Sequence, residues 1–177
     1  FLVPAITMKT FADEFQTGTI EILKTRPISN FQIILGKFFA VLLLIIIAVI
    51  PTFVYVYSIH QLGNPIGNID YGSTIGSYVG LLLLASSYAS IGVFTSSISK
   101  NQIVAFLLGI VIAFFFYYGF DAVANLFGSS SYTVKLFGMN EHFKSISRGV
   151  LDTRDVLYFF SIIVFFLFIT KQKLTNE

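Results

Sequence analysis

The run from Ile33 to Tyr57 carries one charged side chain, Lys37, and is otherwise hydrocarbon apart from Gly36, a late Pro51, Thr52 and two tyrosines. About 20 apolar residues in a helix cross the hydrocarbon core of a bilayer, so this run alone reads as a membrane span. Thr74–Ser97 qualifies too and is rich in small residues, whereas Ile103–Phe120 has almost none. A fourth run, Val156–Thr170, reaches the required length if its helix begins near Asp152. Asp152 and Asp155 then fall at N-cap and N3, where carboxylates meet free backbone N–H groups and the positive end of the helix dipole. The expected fold class is all-α: a polytopic transmembrane helix bundle with four spans visible.

Composition agrees. Charged residues make up 11% of the chain and mean hydropathy is +0.82, where soluble domains carry about 25% charged residues. A net charge of +2 with no basic patch among aromatics speaks against nucleic acid as a partner. Cysteine is absent, which excludes disulfides, thiolate metal sites and cysteine nucleophiles. His60 and His142 are isolated, so no metal site is expected. No nucleophile–base pair stands out, which leaves an intramembrane hydrolase a distant reading.

Loop charges set a direction. Lys9, Lys24, Arg26 and Lys37 gather at the start of the first span, Lys100 lies between the second and third, and Lys171 and Lys173 follow the fourth. The loop Ser58–Ser73 has no Lys or Arg. By the positive-inside rule the opening segment, the Lys100 turn and the C-terminus face the cytoplasm. Gly128–Arg154 is the exception, placed outside by the even number of spans despite Lys135, Lys144, Arg148 and Arg154.

The segment EFQTGTIEILKTRPISNFQIILGKF, Glu14 to Phe38, is the most mixed in the first third of the chain. Ser29 and Gln32 have capping-box spacing, and Ile28 with Ile33 has the spacing of a hydrophobic staple. Pro27 ends whatever precedes them. A helix is therefore expected to start at Ser29–Asn30 and continue into the first span. Upstream, Met8–Gln16 reads as a short amphipathic helix with Met8, Phe11, Ala12 and Phe15 on one face. Gly18 breaks it, and a second short helix over Thr19–Thr25 carries Ile20, Leu23 and Lys24, with Glu21 near its positive end. Such a pair can lie on lipid or dock on a protein. Asp13, Glu14 and Glu21 suit an anionic leaflet badly, which favours the protein.

These residues carry a resemblance. Glu14, Gly18, Thr19, Glu21 and Leu23, then Pro27 and Ser29, then Gly36-Lys37, match the E…GT-x-E-x-L…P-x-S…GK pattern of ABC-2 type transporter permeases. SSYASIGVFTSSISKNQIVA (Ser86–Ala105) resembles the span–turn–span of that family. EHFKSISRGVLDTRDVLYFFS (Glu141–Ser161) is similar to the external helices and last span of gliding-motility ABC transporter permeases of Bacteroidetes. The resemblance implies a type V exporter-like permease with six spans. FLVPAITM (Phe1–Met8) would then be the end of the second span and residues 9–28 the cytoplasmic coupling segment. Spans follow at 29–57, 74–97, 103–120 and 155–171, with external short helices over 121–154 and a cytoplasmic tail at 172–177. It implies a subunit of an inner-membrane exporter that is not itself an enzyme. With no G-x-x-x-x-G-K-[ST] loop, the chain holds no cofactor, and ATP and Mg belong to a partner ATPase subunit. A second permease copy or a related membrane subunit completes the assembly in the bilayer. Glu14, Gly18, Thr19, Ile20, Glu21, Leu23 and Lys24 would couple to the ATPase, Ile20 and Leu23 filling its groove and Glu21 pairing with a basic residue.

The spans suggest packing more than chemistry. Gly76 and Gly80, extended by Ala85, Ala89, Gly92 and Ser96, form a small-residue stripe for close helix approach, within the chain or across a dimer. Tyr117 and Tyr118 either line an apolar translocation path or form an interfacial belt. Asp121 is expected to meet water near the outer end, and Phe143, Ile146 and Val150 to form a lipid-facing stripe. A non-transporting membrane scaffold of a motility or secretion machine is the alternative function.

Overall fold

The structure, a computed structural model, describes residues 1–25, 27–125 and 131–176, with the backbone alone at Lys24, Ser131 and Tyr132. Arg26 and residues 126–130 of the expected external region lie outside the described residues, as does the side chain of Lys24. Those described form helices and no strand. Their order is α1 (Leu2–Thr7), α2 (Ala12–Thr17), α3 (Thr19–Lys24), α4 (Asn30–Val49), α5 (Phe53–Leu62), α6 (Tyr71–Ile98), α7 (Gln102–Phe114), α8 (Phe120–Ala124), α9 (Ser131–Lys135), α10 (Met139–Ser147) and α11 (Thr153–Thr175).

Among the described residues four helical stretches are long and apolar enough to cross a membrane: Asn30–Leu62, Tyr71–Ile98, Gln102–Ala124 and Thr153–Thr175. Lipid offers no hydrogen bonds to a backbone, so a helix must satisfy its own, and its first N–H groups need another acceptor. Each of the four begins with a polar side chain doing that. Ser29 accepts from Gln32 N at 3.3 Å while Gln32 Oε1 accepts from Ser29 N at 2.9 Å, a reciprocal capping box. Asp70, Asn101 and Asp152 cap α6, α7 and α11 in turn, at 3.1, 2.9 and 3.0 Å.

Two spans depart from a straight α-helix. Pro51 has no N–H to donate, and a 3-10 turn, Ile50–Thr52, joins α4 to α5 there. Thr52 Oγ1 lies 2.9 Å from the Tyr78 hydroxyl, and the Phe53 ring stacks on Tyr78 with centroids 4.6 Å apart, tying this joint to α6. In the third span Phe115–Gly119 forms a π-helical turn between α7 and α8.

The centre of the bundle is α6, which touches α1, α4, α7, α10 and α11. Its buried face is paved with Gly76, Gly80, Ala85, Ser87, Ala89, Ser90, Gly92 and Ser96. The Ser86, Ser87 and Ser90 hydroxyls return to carbonyls three or four residues back, so they enter an apolar core without leaving a donor unmade. The small-residue stripe thus packs within this chain. A Cβ on Gly76 would stand 2.2 Å from the Ile146 carbonyl oxygen and one on Gly92 2.0 Å from Thr7 Oγ1. Gly76 and Gly80 receive α10, and Gly92 receives α1.

That packing corrects the expectation for α10. Phe143 and Ile146 do not face lipid: both lie against Gly80, and Ile146 is fully buried with Met139 and Phe159. Val150 alone of the three is exposed. The helix is amphipathic, and glycines on α6 give its apolar side a nearer surface than lipid.

Candidate functional site

Three elements converge on the α2–α3 segment. The N-cap residue of α2, Phe11, offers no capping side chain, and a short helix with bare N–H groups is unstable. Ser96, near the end of α6, supplies the acceptor: Phe11 N and Ala12 N donate to its Oγ at 2.9 and 3.0 Å. The same hydroxyl donates to the Met8 carbonyl at 3.0 Å. One buried serine thus holds both sides of the α1–α2 turn.

The second element is α4. Lys37 reaches back from its second turn to Glu14, with Nζ 2.5 Å from Oε1. It also donates to the Thr10 carbonyl and lies over the Phe11 ring, 4.6 Å from the centroid. With 19% of its side chain exposed, this ammonium spans the α2–α4 gap where lysine would otherwise be costly. The third element is α7, whose Gln102 donates to Asp13 Oδ1 at 2.7 Å. At the same end Asn30 Nδ2 donates to the Leu174 carbonyl at 3.3 Å, joining the start of α4 to the end of α11.

Gly18 separates α2 from α3 at φ 73°, left-handed backbone that costs an L side chain about 1–2 kcal/mol. Nothing lies within 4 Å of its absent Cβ, so conformation alone asks for glycine. The reversal folds α3 back onto the bundle and changes the expected roles of its residues. Ile20 is 8% exposed and packs in a cluster with Phe11, Ile34 and Phe38, with half-buried Leu23 beside it. Ile20 is therefore occupied by its own chain rather than turned outward to fill another protein's groove. Three-residue spacing puts Ile20 and Leu23 on one face, and Thr19, Glu21 and Ile22 face outward, Ile22 64% exposed.

At the opposite end, α10 is fastened to its neighbours by polar pairs that sequence reading missed. His142 Nε2 donates to the Leu136 carbonyl at 2.9 Å, and Nδ1 lies 2.7 Å from Asp155 Oδ1. The ring stacks on Tyr158, centroids 4.0 Å apart, and the Tyr158 hydroxyl donates to the Phe137 carbonyl at 2.5 Å. Asp121 does not simply meet water: Oδ2 accepts from Asn140 Nδ2 at 2.6 Å, and Oδ1 is buried without a partner among the described residues. On the rim, Lys144 donates to Glu141 at 3.1 Å, and that bond raises the lysine pKa. Among the described residues no three His, Asp or Glu side chains gather to hold a metal.

Tyr117 and Tyr118 line a cavity of about 280 Å³ between α1, α6 and α7, with Pro4, Leu84, Tyr88 and Phe114 among its other walls. The adjoining π-helical turn sets both tyrosines, and such turns are frequent at functional sites. The other signals available in the sequence were polar residues out of place: a lysine two turns into a span, a serine at a span's end, a histidine and an aspartate thirteen residues apart.

No curated protein and no solved structure matches the chain. The family model for an ABC-2 family transporter protein matches residues 2–151, which takes in α2–α3, the Lys37 and Ser96 contacts and the tyrosine cavity. With four membrane-length apolar helices and that match, the chain is a multi-pass membrane protein that belongs to the ABC-2 transporter family.

Proposed function

We propose that this chain is the membrane-spanning permease subunit of an ATP-driven exporter in the inner membrane, coupling hydrolysis by a separate ATPase subunit to export. The observation that carries the reading is the α2–α3 segment, fixed to three spans through Ser96, Lys37 and Gln102. Its outward face offers Glu21 and Ile22, a carboxylate and an apolar side chain on adjacent positions. In this reading α2–α3 is cytoplasmic and seats in a groove of the ATPase, which binds ATP and Mg. When two ATPase subunits close, the segment moves with them. A soft joint would absorb that movement. The Ser96 clamp and the Lys37 strut instead pass it to α6 and α4, and Gln102 passes it to α7, so the cavity walls at Tyr88, Tyr117 and Tyr118 shift relative to one another. Transport then requires a second membrane subunit, a copy of this chain or a relative. The likeness of Glu141–Ser161 to gliding-motility permeases supports a role in that machinery.

The test uses the full-length permease co-expressed with its ATPase and reconstituted in lipid. Ile22→Asp combined with Glu21→Arg should release the ATPase or uncouple its turnover at least tenfold while leaving the permease folded, because both residues are exposed. An ATPase that stays bound with unchanged turnover would sink the coupling role and favour a membrane scaffold.

A further inference from the structure

A groove of about 340 Å³ runs between the first turns of α4 and the last turns of α11. Its walls are Phe31, Leu35, Val164, Leu167 and Phe168, and Lys171 stands at its head. A second recess, about 450 Å³, shares Phe168 and Lys171 and adds Gln172, Thr175 and Asn176. The two form one amphipathic channel on the surface of the bundle, hydrocarbon along the span and polar at the span's end. The Lys171 ammonium lies 5.7 Å from the centroid of the Phe31 ring, and among the described residues no carboxylate pairs with it. Gln172 and Asn176 place exposed side-chain amides beside it.

We infer that this groove binds one anionic phospholipid of the surrounding bilayer, an acyl chain lying in the Phe31–Leu35–Val164–Leu167–Phe168 trough and its phosphate on Lys171. Charge decides the occupant. An ammonium with no carboxylate beside it among the described residues, at the head of an apolar trough, asks for an anion that is covalently joined to a hydrocarbon chain. From Val164 to Lys171 the helix rises about 10 Å, enough for a good part of an acyl chain below the phosphate. A basic recess between spans at the membrane surface is a form that anionic headgroups recognise. The bound lipid would lie along the same α4–α11 seam that the Asn30–Leu174 hydrogen bond crosses. The inference needs only the membrane location of the chain and stands whether or not α2–α3 meets an ATPase.

Native mass spectrometry of the full-length permease in mild detergent, mixed with equal phosphatidylglycerol and phosphatidylcholine, tests it. One cation near the headgroup is worth about a fivefold preference for phosphatidylglycerol. Lys171→Gln should abolish that preference, Lys171→Arg should keep it, and Lys9→Gln, at the same end but outside the groove, should leave it intact. Val164→Trp, which fills the trough, should reduce retention of both lipids. Equal retention of the two lipids by the native protein would overturn the proposal, as would a preference that survives Lys171→Gln. Displacement by glycerophosphoglycerol, which has the phosphate and no acyl chains, would also overturn it, reducing the groove to a simple anion site.

Discussion

The two ends of the bundle meet the central helix α6 by different means, although at each end polar pairs also tie the short helices to other neighbours. At the α2–α3 end, separate elements are joined by side chains that reach: the Ser96 hydroxyl, the Lys37 ammonium and the Gln102 amide. At the other end, α10 meets α6 chiefly where side chains are missing, with the Ile146 carbonyl against Gly76 and Gly149 against Gly72. Serines help there, since Ser73 and Ser77 both donate to the Ser147 carbonyl. Close backbone packing is rigid and tolerates no added atoms. Reaching polar contacts are directional and fail one at a time. If the first end receives force and the second braces it, the two should respond differently to single substitutions.

The largest effect is expected where backbone meets backbone. Gly76→Ala places a methyl 2.2 Å from one carbonyl oxygen and 2.9 Å from the Gly149 Cα. Neither atom belongs to a flexible side chain, so α10 must lift, at a loss of about 3 kcal/mol. Gly80→Ala meets only the side chains of Ile146 and Phe143, at 3.2 and 3.3 Å. The gain in helix propensity, about 1 kcal/mol, offsets much of that crowding. Thermal unfolding of the purified protein should separate the two variants clearly. Equal losses would mean that close backbone packing is not what holds α10.

Lys37 comes next. Replacing it with Met strips Glu14 of its cation and leaves one half-buried carboxylate oxygen without a partner beside another that has none among the described residues. Breaking a fully buried pair costs about 3–5 kcal/mol; with both side chains partly exposed, about 2 kcal/mol is expected here. Glu14→Gln in the same chain should restore much of the stability, because no stranded charge remains, yet coupling of ATPase turnover should stay impaired. Recovery of both together would show that Lys37 serves folding alone.

What could be read from the sequence was local. The Ser29–Gln32 capping box, the break at Gly18 and the cap at Asp152 involve residues at most four apart, whose chemistry fixes their geometry. The contacts made by Ser96 and Lys37 join residues 85 and 23 positions apart, and no spacing rule reaches that far. Lys37 was visible as the one charge inside the first span and as part of a family pattern, but not as the partner of Glu14. The apolar stripe of α10 was legible, its neighbour was not: hydrocarbon lipid and a glycine-paved helix demand the same apolar face. On α3 the ambiguity is sharper still. Ile20, Ile22 and Leu23 are all apolar within six residues, and only the turn at Gly18 decides that Ile20 goes in and Ile22 out.

The smallest of the three effects is also the most local. Ser96→Ala removes the shared acceptor of Phe11 N and Ala12 N and the donor to Met8. A six-residue helix can fray and return those N–H groups to water, so the net loss is expected to be about 1 kcal/mol, falling on α2 and not on the spans. Hydrogen exchange should therefore rise by an order of magnitude or more at the Phe11 and Ala12 amides while the amides of α6 stay protected. Ser90→Ala is the matched control, since the Ser90 hydroxyl only returns to its own helix at Ser87, and it should leave both regions unchanged. Uniformly faster exchange across α6 in the Ser96 variant would place the serine in the core's stability and not in the clamp. Selective exchange at α2, together with slowed coupling of ATPase turnover, would identify the hydroxyl as the joint through which the segment and the spans move as one body.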